Sequence, residues 1–94
     1  MNPPKIITYM SSAVEISKEE SILKIAILHK RIDGDNHIIH ALEKGNFIQS
    51  DINILEFDFN QVEYLNSLGI AEFININRKF TFPEKRKIKF ISFI

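Results

Sequence analysis

The stretch from Ser21 to His29 limits this chain's fold more tightly than any other. In an extended strand, Leu23, Ile25 and Ile27 point to one face and Ile22, Ala26 and Leu28 to the other, so both faces are apolar. A strand of that kind belongs in the middle of a sheet, with partners on both edges. The run Ile52 to Phe59 reads as another strand, and Ala13 to Ser17, followed by the polar turn Lys18-Glu19-Glu20, reads as the hairpin partner of the first. Ile6 to Met10, after two prolines at positions 3 and 4, is either a short edge strand or a frayed end.

Two helices separate these strands. Asp33-Gly34-Asp35-Asn36 is a cluster of turn and N-cap residues, after which Ile38, Ile39 and Leu42 recur at helical spacing until Gly45 ends the pattern. Ile70, Phe73 and Ile74 mark a second helix over 66–79. A loop containing Pro83 and a last strand, Ile88 to Ile94, complete the chain. The expected order is β-β-α-β-α-β, an α/β fold with a mixed sheet of four to five strands and a parallel crossover at each helix. Ninety-four residues make a single domain, 1–94, with one modest core.

Charge narrows the function. Twelve basic residues balance twelve acidic ones, so no global field gathers nucleic acid or an anionic membrane, and neither is expected as a partner. The local clusters His29-Lys30-Arg31 and Lys85-Arg86-Lys87 read as solvated strand or loop ends. The absence of cysteine excludes disulfides and thiolate metal sites and favours a reducing compartment. The N-terminus lacks the layout of a signal peptide and no apolar run approaches the roughly 18 residues of a membrane span, so the expectation is a cytoplasmic protein.

Catalysis is disfavoured. His37 and His40 lie three apart on the first helix, but Asp33, Asp35 and Glu43 around them follow no recognised metal-ligand spacing, so no metal or other cofactor is expected. His29 has cationic neighbours that oppose its protonation. Ser67 has no G-x-S-x-G context and no His-Asp pair in chain order, which removes a serine hydrolase.

The more informative reading of Ser67 is positional. Asn66 and Ser67 fall where a strand's exit loop enters a helix, so a hydroxyl stands at a helix N-terminus, where amides lack intrahelical partners and the dipole favours an anion. Asn66 itself suits an N-cap. Gly69 weakens a helix by about 1 kcal/mol relative to Ala, which points to a close backbone approach to a neighbouring strand or a partner.

Asp58-Phe59-Asn60-Gln61-Val62, followed by Tyr64-Leu65-Asn66-Ser67-Leu68-Gly69-Ile70, resembles without a gap the signature of STAS domains, the fold of the bacterial anti-sigma factor antagonists. Upstream, Val14-Glu15-Ile16 to Ile32-Asp33 is similar to that family's opening hairpin and the Gly-Arg-Leu-Asp before its first helix. Asn66 stands where the family most often has Asp, Leu68 where a small or hydroxyl residue is usual, and the chain stops before the family's further helical segment. The resemblance implies a STAS-like mixed sheet with helices mainly on one face, and a protein that works by partner switching. In that scheme the unmodified domain binds an anti-sigma factor that is often a serine kinase, phosphorylation of Ser67 ends the docking, and a phosphatase restores it. It further implies a contact surface containing Asp33, Asn60, Asn66, Ser67, Leu68 and Gly69. An amide at Asn66 can orient the serine but not act as its base. The alternative from the same resemblance is a constitutive, non-phosphorylated STAS interaction module in a larger signalling or transport assembly. Ile88, Phe90, Ile91 and Phe93, uncovered by a further helix, lead us to expect an apolar patch open to self-association.

Overall fold

In the computed structural model, which describes residues 6–92, the doubly apolar strand β3 (Ile22–Ile27) is the middle of five. It pairs antiparallel with β2 (Val14–Glu19), which pairs antiparallel with β1 (Ile6–Met10), so the edge strand forms. On its other side β3 pairs parallel with β5 (Ile54–Asp58), which pairs parallel with β7 (Lys87–Ile91). The sheet is therefore mixed, in the order β1-β2-β3-β5-β7. A separate two-residue parallel ladder joins β4 (Arg31–Ile32) to β6 (Tyr64–Leu65). The crossovers carry helices α1 (His37–Gly45) and α2 (Ser67–Ile76), the latter continued by a π-helical turn over Asn77–Thr81. No helix among the described residues is long and apolar enough to cross a membrane.

Register explains why one face became the core. Ile16 pairs with Ile25, Ile25 with Phe57 and Phe57 with Phe90, so the apolar residues line up across four strands. Val14, Leu23, Ile27 and Leu55 extend that row, and Ile38, Ala41, Leu42, Phe73 and Ile76 of the two helices close over it. Burying each of the large side chains contributes about 1.5–3 kcal/mol. The opposite face is polar: Lys24 pairs with Glu19 at 2.8 Å and Lys89 with Glu56 at 3.9 Å. Ile22 and Ala26, the second apolar face of β3, are half-buried there, so the strand is central without being covered by helices on both sides.

Several boundaries differ from the sequence reading for local reasons. Asn46, rather than Gly45, takes the left-handed position that ends α1, at φ 49°, a conformation Asn tolerates. Ile70, Phe73 and Ile74 mark a helix but not its buried face. The buried residues are Gly69, Glu72, Phe73 and Ile76, while Ile70 and Ile74 are each 49% exposed. Arg86 is not a solvated loop end: its guanidinium donates to the carbonyls of Ile52 (2.7 Å), Phe80 (3.0 Å) and Gln49 (2.9 Å), tying the entry of β5 to the exit of α2. Phe93 and Ile94 of the expected last strand lie outside the described residues.

The helices are joined by a buried carboxyl group. Asn36, at the N-cap of α1, makes no side-chain cap; Glu72 of α2 does so instead, its Oε2 accepting from the N–H groups of Ile38 (3.0 Å) and Ile39 (3.2 Å). Glu72 is 1% exposed and its Oε1 has no hydrogen-bond partner. Desolvation raises its pKa above the ordinary glutamate value, outweighing the two amide bonds that act the other way. A carboxyl whose native pKa is raised stabilises the fold below its unfolded pKa of about 4.3, and that contribution is lost as pH rises through the native pKa. Relative to a Glu72→Gln variant, the wild-type protein should therefore lose stability as pH climbs from about 4.3, in paired denaturant titrations. A gain over that window contradicts the assignment. Glu72→Leu, which orphans both amides, should cost about 1–3 kcal/mol per amide, with the loss largest at low pH, where the wild-type carboxyl is protonated.

Candidate functional site

Because β3 and β5 run parallel, both crossover segments leave the sheet from the same end, the end where open α/β sheets form their binding surfaces. The first segment passes through β4 and the second through β6, and their short ladder holds them side by side. Arg31 lays its guanidinium over the Tyr64 ring at 4.1 Å, and the Asn66 N–H donates to the Ile32 carbonyl at 3.3 Å. The start of α2 is thereby fixed against the loop that precedes α1.

Ser67 is the first residue of α2 and is exposed. Asn66 caps the helix from an extended conformation, its Oδ1 accepting from the Gly69 N–H at 2.9 Å, as the sequence predicts for an N-cap. The remaining early amides of the helix, with no intrahelical acceptor, surround the serine with positive potential. Leu68 points outward, 63% exposed, so it contributes to the surface and not to the core. Gly69 answers the close-approach expectation: a Cβ there would stand 2.2 Å from the Ile32 carbonyl oxygen. Gly34 mirrors it from the facing loop, at φ +100°, where a Cβ would lie 2.6 Å from that of Leu68.

The residues predicted from sequence thus converge in part. Ser67 and Leu68 are exposed and Asp33 is half-buried next to Gly34, which faces Leu68, whereas Gly69 is buried against Ile32. Asn60 is exposed in the turn after β5, donating its N–H to Asp58 Oδ1 at 2.9 Å. What sequence reasoning missed is an apolar recess of about 430 Å³ lined by Phe59, Leu65, Ile70, Phe73 and Phe90. Its floor is a cluster of rings, with Phe73 5.3 Å from Phe59 and 5.6 Å from Phe90, in favourable tilted and edge-to-face arrangements. Phe90 and Ile70 were legible as apolar residues, but nothing in their spacing placed them beside Leu65. Tyr64, Leu68, Ile70, Ile74 and Phe90 are exposed hydrophobics, and of these Ile70 and Phe90 line the recess together.

The fold and site define an α/β domain with a mixed five-stranded sheet and two helices, bearing an apolar surface next to an exposed serine at a helix start. In comparisons with known proteins, no family model matches the chain and no curated protein matches it.

The tight fit of Gly69 against Ile32 can be tested by stability. Gly69→Ala would gain up to about 1 kcal/mol of helix propensity, yet it must push the α2 start off β4, an overpacking cost of about 1–3 kcal/mol. A net loss of stability in thermal or denaturant unfolding is expected, whereas the exposed Ala71→Gly should lose only the propensity term.

Proposed function

We propose that this domain is a STAS-like protein-interaction module that acts as an anti-sigma factor antagonist, docking on an anti-sigma factor with serine kinase character and released by phosphorylation of Ser67. The observation that carries this reading is the exposure of Ser67 at the α2 N-terminus, beside the outward-facing Leu68. The STAS-like signature over 58–70 supplies the family side of the argument, and the mixed sheet, with α1 and α2 closing over one row of apolar residues, is consistent with it.

The physical switch is simple. A partner that covers Ser67 and Leu68 and extends toward the recess buries apolar side chains at about 25 cal/mol per Å². A phosphate on Ser67 brings roughly 1.5 to 2 negative charges into that contact. The helix start tolerates the charge in the free domain, so the modified domain stays folded while docking is penalised. Without a cation opposite, the penalty is on the order of 3 to 5 kcal/mol, a hundredfold or more in affinity.

A second reading, constitutive docking without phosphate control, draws on one observation. Asn66 Oδ1 is committed to the Gly69 amide, and an amide side chain supplies no base to the neighbouring hydroxyl. The two readings separate in a pull-down from the native cell with wild-type, Ser67→Ala and Ser67→Asp protein, retained proteins being identified by mass. Partner switching requires a kinase-like anti-sigma factor held by wild type and Ser67→Ala but weakened on the order of tenfold or more by Ser67→Asp. Equal retention by all three supports the constitutive module. Leu68→Asp should abolish retention in both cases, and its survival there removes this surface from the interface altogether.

A further inference from the structure

The turn between β3 and α1 gathers two imidazoles and a carboxylate that are scattered in sequence. His29 follows β3, Asp35 lies in the loop, and His37 opens α1. One ligand atom from each lies within 4.8 Å of the others. The His29 and His37 rings stand 5.2 Å apart in an edge arrangement. Asp35 faces His37 twice, with Oδ2 3.5 Å from Nδ1 and Oδ1 accepting the His37 backbone N–H at 3.4 Å. A neutral imidazole is the form that binds a metal, through whichever ring nitrogen carries no proton.

We infer that His29, Asp35 and His37 form a binding site for a divalent first-row transition ion, with Zn²⁺ the best fit. Two imidazole nitrogens and one carboxylate oxygen are a common Zn²⁺ donor set and leave a fourth tetrahedral position to water or an outside ligand. Donors about 2.1 Å from a tetrahedral centre sit about 3.4 Å apart, so the triad has to close by little more than 1 Å. Side-chain rotation supplies that movement, because Asp35 and His37 are exposed and His29 is half-exposed. The backbone beneath them is anchored. Leu28 donates to the Ala13 carbonyl at 2.8 Å, the Lys30 carbonyl accepts from Glu63 and Tyr64, and Glu72 holds the first turn of α1.

The pairing differs from the one the sequence offers. His37 and His40 are one turn apart on α1, but His40 is not a member of the triad. That makes His40 an internal control. With the full chain at neutral pH, calorimetric titration with ZnCl₂ should show one saturable site, and MgCl₂ should show none, magnesium preferring oxygen ligands. His29→Ala and His37→Ala should each weaken Zn²⁺ binding at least about tenfold, since even losses around the ligand shell reach that size. Asp35→Asn should weaken it, and His40→Ala should leave it unchanged. Side-chain nitrogen NMR should shift for His29 and His37 on adding Zn²⁺ and stay fixed for His40, a readout that does not depend on stability. Absence of saturable Zn²⁺ binding, unaltered affinity in His29→Ala, or loss in His40→Ala each overturns the assignment.

Discussion

Both surfaces depend on the buried carboxylate of Glu72. It reaches from the middle of α2 to the first turn of α1 and accepts two amides that would otherwise be orphaned. A carboxylate so far from water costs several kcal/mol to desolvate, and amide bonds to a charged acceptor return about 1.5–3 kcal/mol each. The raised pKa shows that desolvation has the upper hand. The consequence is geometric: the start of α1 cannot drift from α2 without exposing or unpairing that carboxyl group. The serine surface and the imidazole cluster are built on the two ends of this restrained segment.

A second restraint works through the absence of a side chain. Gly69 lets the α2 backbone lie against the Ile32 carbonyl, and Gly34 lets the facing loop lie against Leu68. Leu68, flanked by these two close approaches, stands in solvent at the helix start, 63% exposed. Beyond it, Ile70 and Ile74 continue the apolar face of α2 to Phe90 on the outermost strand β7. Such a surface has a reason to be covered, since its side chains gain little from water and much from a partner.

Much of this was legible in the chain. The two-faced apolar pattern of 22–28 marked β3 as central, the segment 13–17 with the polar turn after it marked its hairpin partner, and the spacing of Ile38, Ile39 and Leu42 marked the first helix. The N-cap role of Asn66 and the close approach at Gly69 were readable because each residue type has a specific backbone use. Glu72 left a signal that went unused, a carboxylate in the row Gly69, Glu72, Phe73, Ile76 that faces the core. Arg86 left none: its three carbonyl partners come from residues 49, 52 and 80, and a lysine-flanked arginine in a loop looks solvated from sequence.

The sequence by itself determined the α/β class, the order of its main elements and the placing of Ser67 at a helix start, because periodicity, turn residues and caps act over a few neighbouring positions. Only the tertiary structure decided which residues from distant segments meet. Phe59 with Phe90, and Glu72 with the amides of α1, are products of parallel pairing between β3, β5 and β7, and that pairing is set by burial of the whole apolar face rather than by any local signal.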